Sequence, residues 1–206
     1  RVIMTMVTPT LALSLSFVAA TVYEYLATQR EKRMIMGAFQ QFVPEKVVKE
    51  LLDHPEKLQL GGEERYLSVL FMDLANFTSV SEKLKPTDLV NLINIYLTEM
   101  TEIVFKYDGI VDKYEGDALM AEFGAPVHFD DHAVKACFAA IEMQERLKKL
   151  DLSKYKDVLT SLSCRIGINS GHMIVGNMGS KNVFDYTVMG DAVNLASRLE
   201  GANKMY

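Results

Sequence analysis

The 206-residue chain has no basic surplus: 22 lysines and arginines face 27 aspartates and glutamates, for a net charge of −5. Proteins that read nucleic acid ordinarily carry a cationic face, so no nucleic-acid partner is expected and any polyanionic ligand must be met by local charges. Cysteine is scarce. Cys137, in a helical pattern, and Cys164, in a strand pattern, lack metal-ligand spacing and are expected to be buried thiols. The sharpest absence is local, since Val2 to Tyr23 contains no charged residue at all.

That uncharged run is long enough to cross a hydrocarbon layer of roughly 30 Å, which takes about 20 helical residues. It exceeds the roughly 7–15 residues of a secretory h-region; a buried core helix is the other reading. Arg30, Lys32 and Arg33 follow it. The pattern predicts a transmembrane helix over residues 1–26, with the rest of the chain membrane-anchored and cytoplasmic by the positive-inside rule. Residues 27–62 then read as a signalling helix and linker: Met34, Met36, Phe39 and Phe42 recur among polar residues, suited to pairing with a second copy or to lying on the membrane. Gly61-Gly62 is expected to close the linker. A chain that starts on Arg1 is expected to be a piece of a longer protein with an upstream, sensory part.

Residues 63–206 alternate between strand and helix periods. Tyr66 to Met72 reads as an apolar strand, and Pro86 to Tyr107 as an amphipathic helix with proline at its start and Asp108-Gly109 at its end. Ile110 to Tyr114 and Asp117 to Phe123 read as a hairpin around Glu115-Gly116. A helix over about Asp130 to Leu150 precedes a strand from Leu159 to Ile168. The order β-α-β-β-α-β predicts an α+β, ferredoxin-like (split βαβ) fold. Strands near Met173 to Asn177 and Val183 to Val188, and a helix from about Asp191, extend it.

Asp73 ends the first strand in FMDLANFT, and Asp117 follows the hairpin glycine in DKYEGDALMAEFG. The first and third strands of a split βαβ sheet are neighbours, so the two carboxylates are expected at one end of the sheet. Paired hard oxygen ligands suit Mg²⁺ or Mn²⁺ together with substrate phosphates, and two such ions can serve an in-line displacement. If Glu115-Gly116 is the turn, Tyr114 pairs with Asp117 and Lys113 with Ala118, which sends Lys113 to the opposite face from Asp117. One chain then cannot bring both to one site, whereas a two-fold dimer can; the plain alternative is an exposed strand lysine. Asn194 and Arg198 are four apart in DAVNLASR and share a helical face, suited to orienting a sugar and stabilising charge on a phosphoryl group.

FMDLANFT, DKYEGDALMAEFGAP, RIGINSGHMIVGNMGS and DYTVMGDAVNLASRLEGANK together resemble the class III nucleotidyl cyclases, from about Glu64 to Tyr206. The resemblance implies that Asp73 and Asp117, with the Leu74 carbonyl, hold two Mg²⁺ or Mn²⁺ ions per active site. It implies that the backbone of Leu74, Ala75, Asn76, Phe77 and Thr78 cradles a triphosphate touched by Arg165 of the same subunit. Lys113 and Thr187 look like the purine-reading pair, Asn194 like the ribose-orienting residue and Arg198 like the transition-state arginine, all from the partner of a homodimer with shared sites. A donor-only lysine beside an accepting threonine suits adenine, whose N1 accepts and whose amine donates. The expected activity is therefore conversion of ATP to cyclic AMP, with guanylyl cyclase or a catalytically silent nucleotide-binding module as alternatives. The family continues through further strands and a phosphate-binding lysine, so the domain is expected to be cut short at Tyr206.

Overall fold

A computed structural model describes residues 13, 15–30, 60–159 and 161–205. The chain divides into two compact units, Arg1–Val48 and Lys49–Tyr206. In the first, residues 15–30 are helical. They include the charged residues Glu24 and Arg30. Among the described residues no helix is long and apolar enough to cross a membrane. The expected transmembrane helix, and with it the membrane partner and the membrane location, is therefore not supported. Much of the stretch from Val2, most of the signalling helix and most of the linker before residue 60 lie outside the described residues.

The second unit is built on one antiparallel sheet. Strand β1 (Gly61–Leu74) leads through the short helix α1 (Phe77–Ser81) to the long helix α2 (Pro86–Lys106). The hairpin β2 (Ile110–Glu115) and β3 (Ala118–Phe123) follows, then α3 (His132–Leu147), β4 (Cys164–Gly179), β5 (Phe184–Met189) and α4 (Asp191–Ala202). The strand order is β2-β3-β1-β4-β5. Its first four members form the split βαβ arrangement, and β5 adds an edge beside β4. One face of the sheet is covered by α2 and α3. Leu70, Met72 and Leu74 of β1 pack there with Leu92, Met100 and Ile103 of α2 and Ala139 and Met143 of α3. The opposite face carries Val69, Met120, Val175 and Val188, against which Val193 and Ala196 of α4 are seated. Along β1, Leu67 and Val69 join the core under α4 while Leu70, Met72 and Leu74 join the core under α2 and α3, because successive strand side chains point to opposite faces.

Three sequence expectations are corrected. Gly61-Gly62 is not linker but the start of β1, paired with Asn177 and Gly176 of β4. A Cβ on Gly62 would lie 2.6 Å from Ile174 Cγ2, and one on Gly176 would lie 2.3 Å from the Gly61 carbonyl oxygen, so glycine serves close approach of two strands here. The hairpin turn is Gly116-Asp117 rather than Glu115-Gly116: Glu115 pairs with Ala118, Tyr114 with Leu119 and Lys113 with Met120. Gly116 has φ 66°, and a two-residue hairpin loop needs that conformation at its first position. Finally, Cys137 is exposed while Cys164 is buried. The buried stripe of α3 is His132, Ala136, Ala139, Met143 and Leu147, and position 137 falls off it. Burial pushes the Cys164 thiol up to about 12.

Helix α4 rests directly on β4. A Cβ on Gly167 would stand 2.2 Å from the Ala196 carbonyl oxygen and 2.3 Å from the Glu200 amide nitrogen. Both are helix backbone and cannot swing aside. Gly167→Ala is expected to cost about 2–3 kcal/mol in a denaturant melt through forced displacement of α4. An unchanged midpoint would mean that the helix tolerates the shift.

Candidate active site

Asp73 stands next to the last residue of β1. The chain then turns through Asn76, which adopts the left-handed conformation (φ 59°, ψ 24°) before α1, a region that asparagine enters more readily than most residues. Pairing of Met72 with Leu119 brings the Gly116-Asp117 turn to the same sheet end. The two carboxyls thus meet, as expected. The Asp117 carboxyl is pushed up to about 6, chiefly by burial and then by a hydrogen bond and charge repulsion from Asp73; the Leu74 amide works the other way. A carboxyl raised by burial and by a neighbouring aspartate marks a site that a cation would relieve. The Tyr96 hydroxyl donates to the Asp117 carbonyl oxygen and pins the turn to α2. Burial and both aspartates raise the Tyr96 phenol, so it stays a donor.

Arg165 lies opposite Asp73 on β4. Its Nη2 donates to Asp73 Oδ2 at 2.6 Å and to the Leu74 carbonyl oxygen at 3.1 Å, and its Nε donates to Glu200 Oε1 at 3.1 Å. The guanidinium therefore rests on two of the three oxygens expected to hold metal, in the place where positive charge is wanted. Two carboxylates and one carbonyl are hard donors that fit a divalent cation. No group of three or more His, Cys, Asp or Glu that could hold a metal occurs among the described residues, so phosphate and water oxygens would complete the coordination.

These residues line a polar cleft of about 300 Å³ together with Asn76, Phe77 and Thr78. Ala75 differs from its neighbours. Its amide donates to the Ser163 carbonyl oxygen at 2.8 Å and is not open to a ligand, which narrows the expected backbone cradle. Lys204 also lines the cleft. Sequence reasoning passed over it, and its only signal was its place in the GANK segment at the end of α4.

Lys113, Thr187, Asn194 and Arg198 do not line this cleft. Lys113 pairs with Met120, on the sheet face covered by α4. The separation of Lys113 from the Asp117 site thus holds despite the shifted register. Thr187, on the opposite edge strand, is brought close to Lys113 through a residue not anticipated from sequence. Asp112 sits at an irregularity of β2, between Val111 paired with Ala121 and Lys113 paired with Met120. Its side chain is 0% exposed; Oδ2 accepts the Thr187 hydroxyl at 2.5 Å, and Oδ1 lies 3.4 Å from Lys113 Nζ. Nearby on β3, the buried Glu122 carboxyl has no hydrogen-bond partner among the described residues, and burial followed by the Asp112 charge holds it well above the usual range. Asn194 and Arg198 are exposed on α4. Arg198, with a side chain 68% exposed, lies 3.8 Å from Asp191 Oδ1.

A family model of the adenylate and guanylate cyclase catalytic domain matches residues 62–205. The chain is 34% identical over 171 residues to adenylate cyclase 1 of Rhizobium meliloti (strain 1021), covering 82% of this chain and 25% of that protein. It spans about a quarter to a third of the length of the curated relatives it matches. Among solved structures, the adenylyl cyclase CyaB from P. aeruginosa is 41% identical with a TM-score of 0.66, over 69% of this chain and 74% of that one. The guanylyl cyclase Cya2 is 37% identical with a TM-score of 0.65, over 69% and 72%.

Proposed function

The chain belongs to the adenylate and guanylate cyclase catalytic-domain family, and from that premise we propose that it is an adenylyl cyclase forming 3′,5′-cyclic AMP and pyrophosphate from ATP at a homodimer interface. Relatives of both substrate types stand at similar distance, so the purine-facing side chains rather than overall likeness separate the substrates. The observation that carries the reading is the convergence of Lys113 and Thr187 on one buried carboxylate. An ammonium offers only donors and a hydroxyl can accept, which matches adenine N1 and its exocyclic amine. Guanine, with a ring N–H and a carbonyl oxygen at the corresponding edge, presents the reverse.

Asp73, Asp117 and the Leu74 carbonyl would hold two Mg²⁺ or Mn²⁺ ions, which when bound would supply Lewis acidity at the 3′-hydroxyl and charge neutralisation at the pyrophosphate. Arg165 gives up its bonds to Asp73 and Leu74 and turns to the triphosphate, with Glu200 keeping hold of its Nε. The amides of Asn76, Phe77 and Thr78, at the start of α1, are presented to phosphate oxygens. Asn194 and Arg198 do not reach the cleft of their own chain and are exposed enough to be given to the partner's cleft, where Asn194 orients the ribose and Arg198 stabilises charge on the α-phosphoryl group.

Turnover of ATP and GTP by the purified dimer with Mn²⁺ tests the substrate. The kcat/KM for ATP is expected to exceed that for GTP by roughly a hundredfold, since a site built from hydrogen-bonding groups rejects the mismatched partner strongly. Preference for GTP would overturn the reading, as would ATP binding without cyclic AMP formation.

A further inference from the structure

Threonine is ambiguous as a reader of bases, because a hydroxyl rotates and can donate to a carbonyl as readily as accept from an amine. In this chain the ambiguity is removed from behind. Strands β2 and β5 are the two edges of the sheet, yet a side chain from one meets a side chain from the other at Asp112 and Thr187. Asp112 sits where β2 is irregular, between Val111 and Lys113. An extra residue in one strand lets consecutive side chains escape strict alternation, and here the Asp112 carboxylate and the Lys113 ammonium stand 3.4 Å apart.

The hydroxyl of Thr187 has one proton. An ionised carboxylate has none to give, so in the 2.5 Å contact between Thr187 Oγ1 and Asp112 Oδ2 the threonine donates. What remains on Oγ1 is lone pairs. Burial raises the Asp112 carboxyl above its ordinary value, whereas the Thr187 hydroxyl that donates to it, the Lys113 ammonium beside it and the Val188 amide favour its charge. Glu122, lacking any such partner among the described residues, is the acid that takes up a proton.

We infer that Asp112 is a positioning residue for substrate choice: it accepts the hydrogen bond of the Thr187 hydroxyl, so that Thr187 can only accept from the base, and it steadies Lys113 as the adjacent donor. The inference rests on the adenylyl cyclase reading and assigns its selectivity to a residue that does not touch the nucleotide.

Asp112→Asn tests this with ATP and GTP measured side by side. An asparagine amide donates to Thr187 Oγ1, which turns the hydroxyl proton toward the base and favours guanine. The ATP-to-GTP ratio of kcat/KM is expected to fall about tenfold, chiefly through KM for ATP, the size expected when one hydrogen bond is exchanged for a mismatch. Equal losses with both nucleotides would show a merely structural role and overturn the inference. Thr187→Val provides a route that does not depend on recovering folded Asp112→Asn. It is expected to lower the ratio by a similar factor, and an unchanged ratio would equally overturn the inference. In the double variant the two effects should not add, because both act through one hydroxyl; full additivity would mean that Asp112 works by another path. A parent protein that prefers GTP would instead defeat the adenylyl cyclase reading itself, an outcome visible before any variant is made.

Discussion

Asp117→Asn is expected to lower cyclase turnover by about three orders of magnitude, the several kcal/mol of transition-state stabilisation that depend on bound cations, while making the metal-free protein more stable. The second half follows from the raised carboxyl. Its ordinary value is 3.8 and the fold pushes it up to about 6, through burial first and Asp73 second. The folded state therefore holds that proton more tightly than the unfolded chain. As far as this group is concerned, stability is greatest below about pH 4, declines as pH rises through 6 and stays lowered above it. Asparagine carries no charge to bury or repel. Because Asp117 is only half-buried, solvent screening limits the gain at pH 8 to on the order of 1 kcal/mol. Thermal melts with and without Mn²⁺ check both halves at once. The parent should gain stability on Mn²⁺ addition, since a ligand that binds only the folded state raises its midpoint, and the variant should not. An equal Mn²⁺ response in both proteins would remove Asp117 from the metal site.

Much of this was legible in the sequence. The element order predicted the strand neighbours correctly, because alternating strand and helix periods leave few ways to close a split βαβ sheet. Adjacency of β1 and β3 was then enough to bring Asp73 and Asp117 together before any side chain was placed. What failed was finer than topology. Gly61-Gly62 read as a linker because glycine pairs usually punctuate; nothing local shows that Gly176, more than a hundred residues later, presses against them. The hairpin slipped by one because either residue pair could have been the turn, and the positive φ at Gly116 decides only when its place in the loop is known. The uncharged N-terminal stretch was judged on its apolar length and the basic residues that follow it. Among the described residues no helix is long and apolar enough for a span. Asp112 was invisible for a different reason. A lone strand aspartate beside a lysine reads as surface, and only the irregular pairing of β2 and the hydrogen bond from Thr187 of β5 reveal a carboxylate shut away from solvent.

Mixing two dead proteins should restore activity. Asp73→Ala removes a carboxylate that faces Asp117 and Arg165 within one chain, whereas Arg198 is exposed on α4 and lines no part of that cleft. If Arg198 serves the partner's cleft, each homodimer is dead for a different reason. In the heterodimer the two lesions fall on the same composite site and leave the other intact: the Arg198→Ala chain gives its undamaged Asp73 and Asp117, and the Asp73→Ala chain gives its undamaged Arg198. Random exchange makes half the dimers mixed, each with one working site of two, so an equimolar mixture should recover roughly a quarter of parental activity from parents below about 1%. The recovery should follow subunit exchange in time, measured on the same samples by a labelled-chain assay. A mixture that exchanges fully yet stays inactive would place Arg198 and Asp73 in the same site of one chain. Recovery well above a quarter would require preferential heterodimer formation, and the exchange assay would register that preference independently of any turnover.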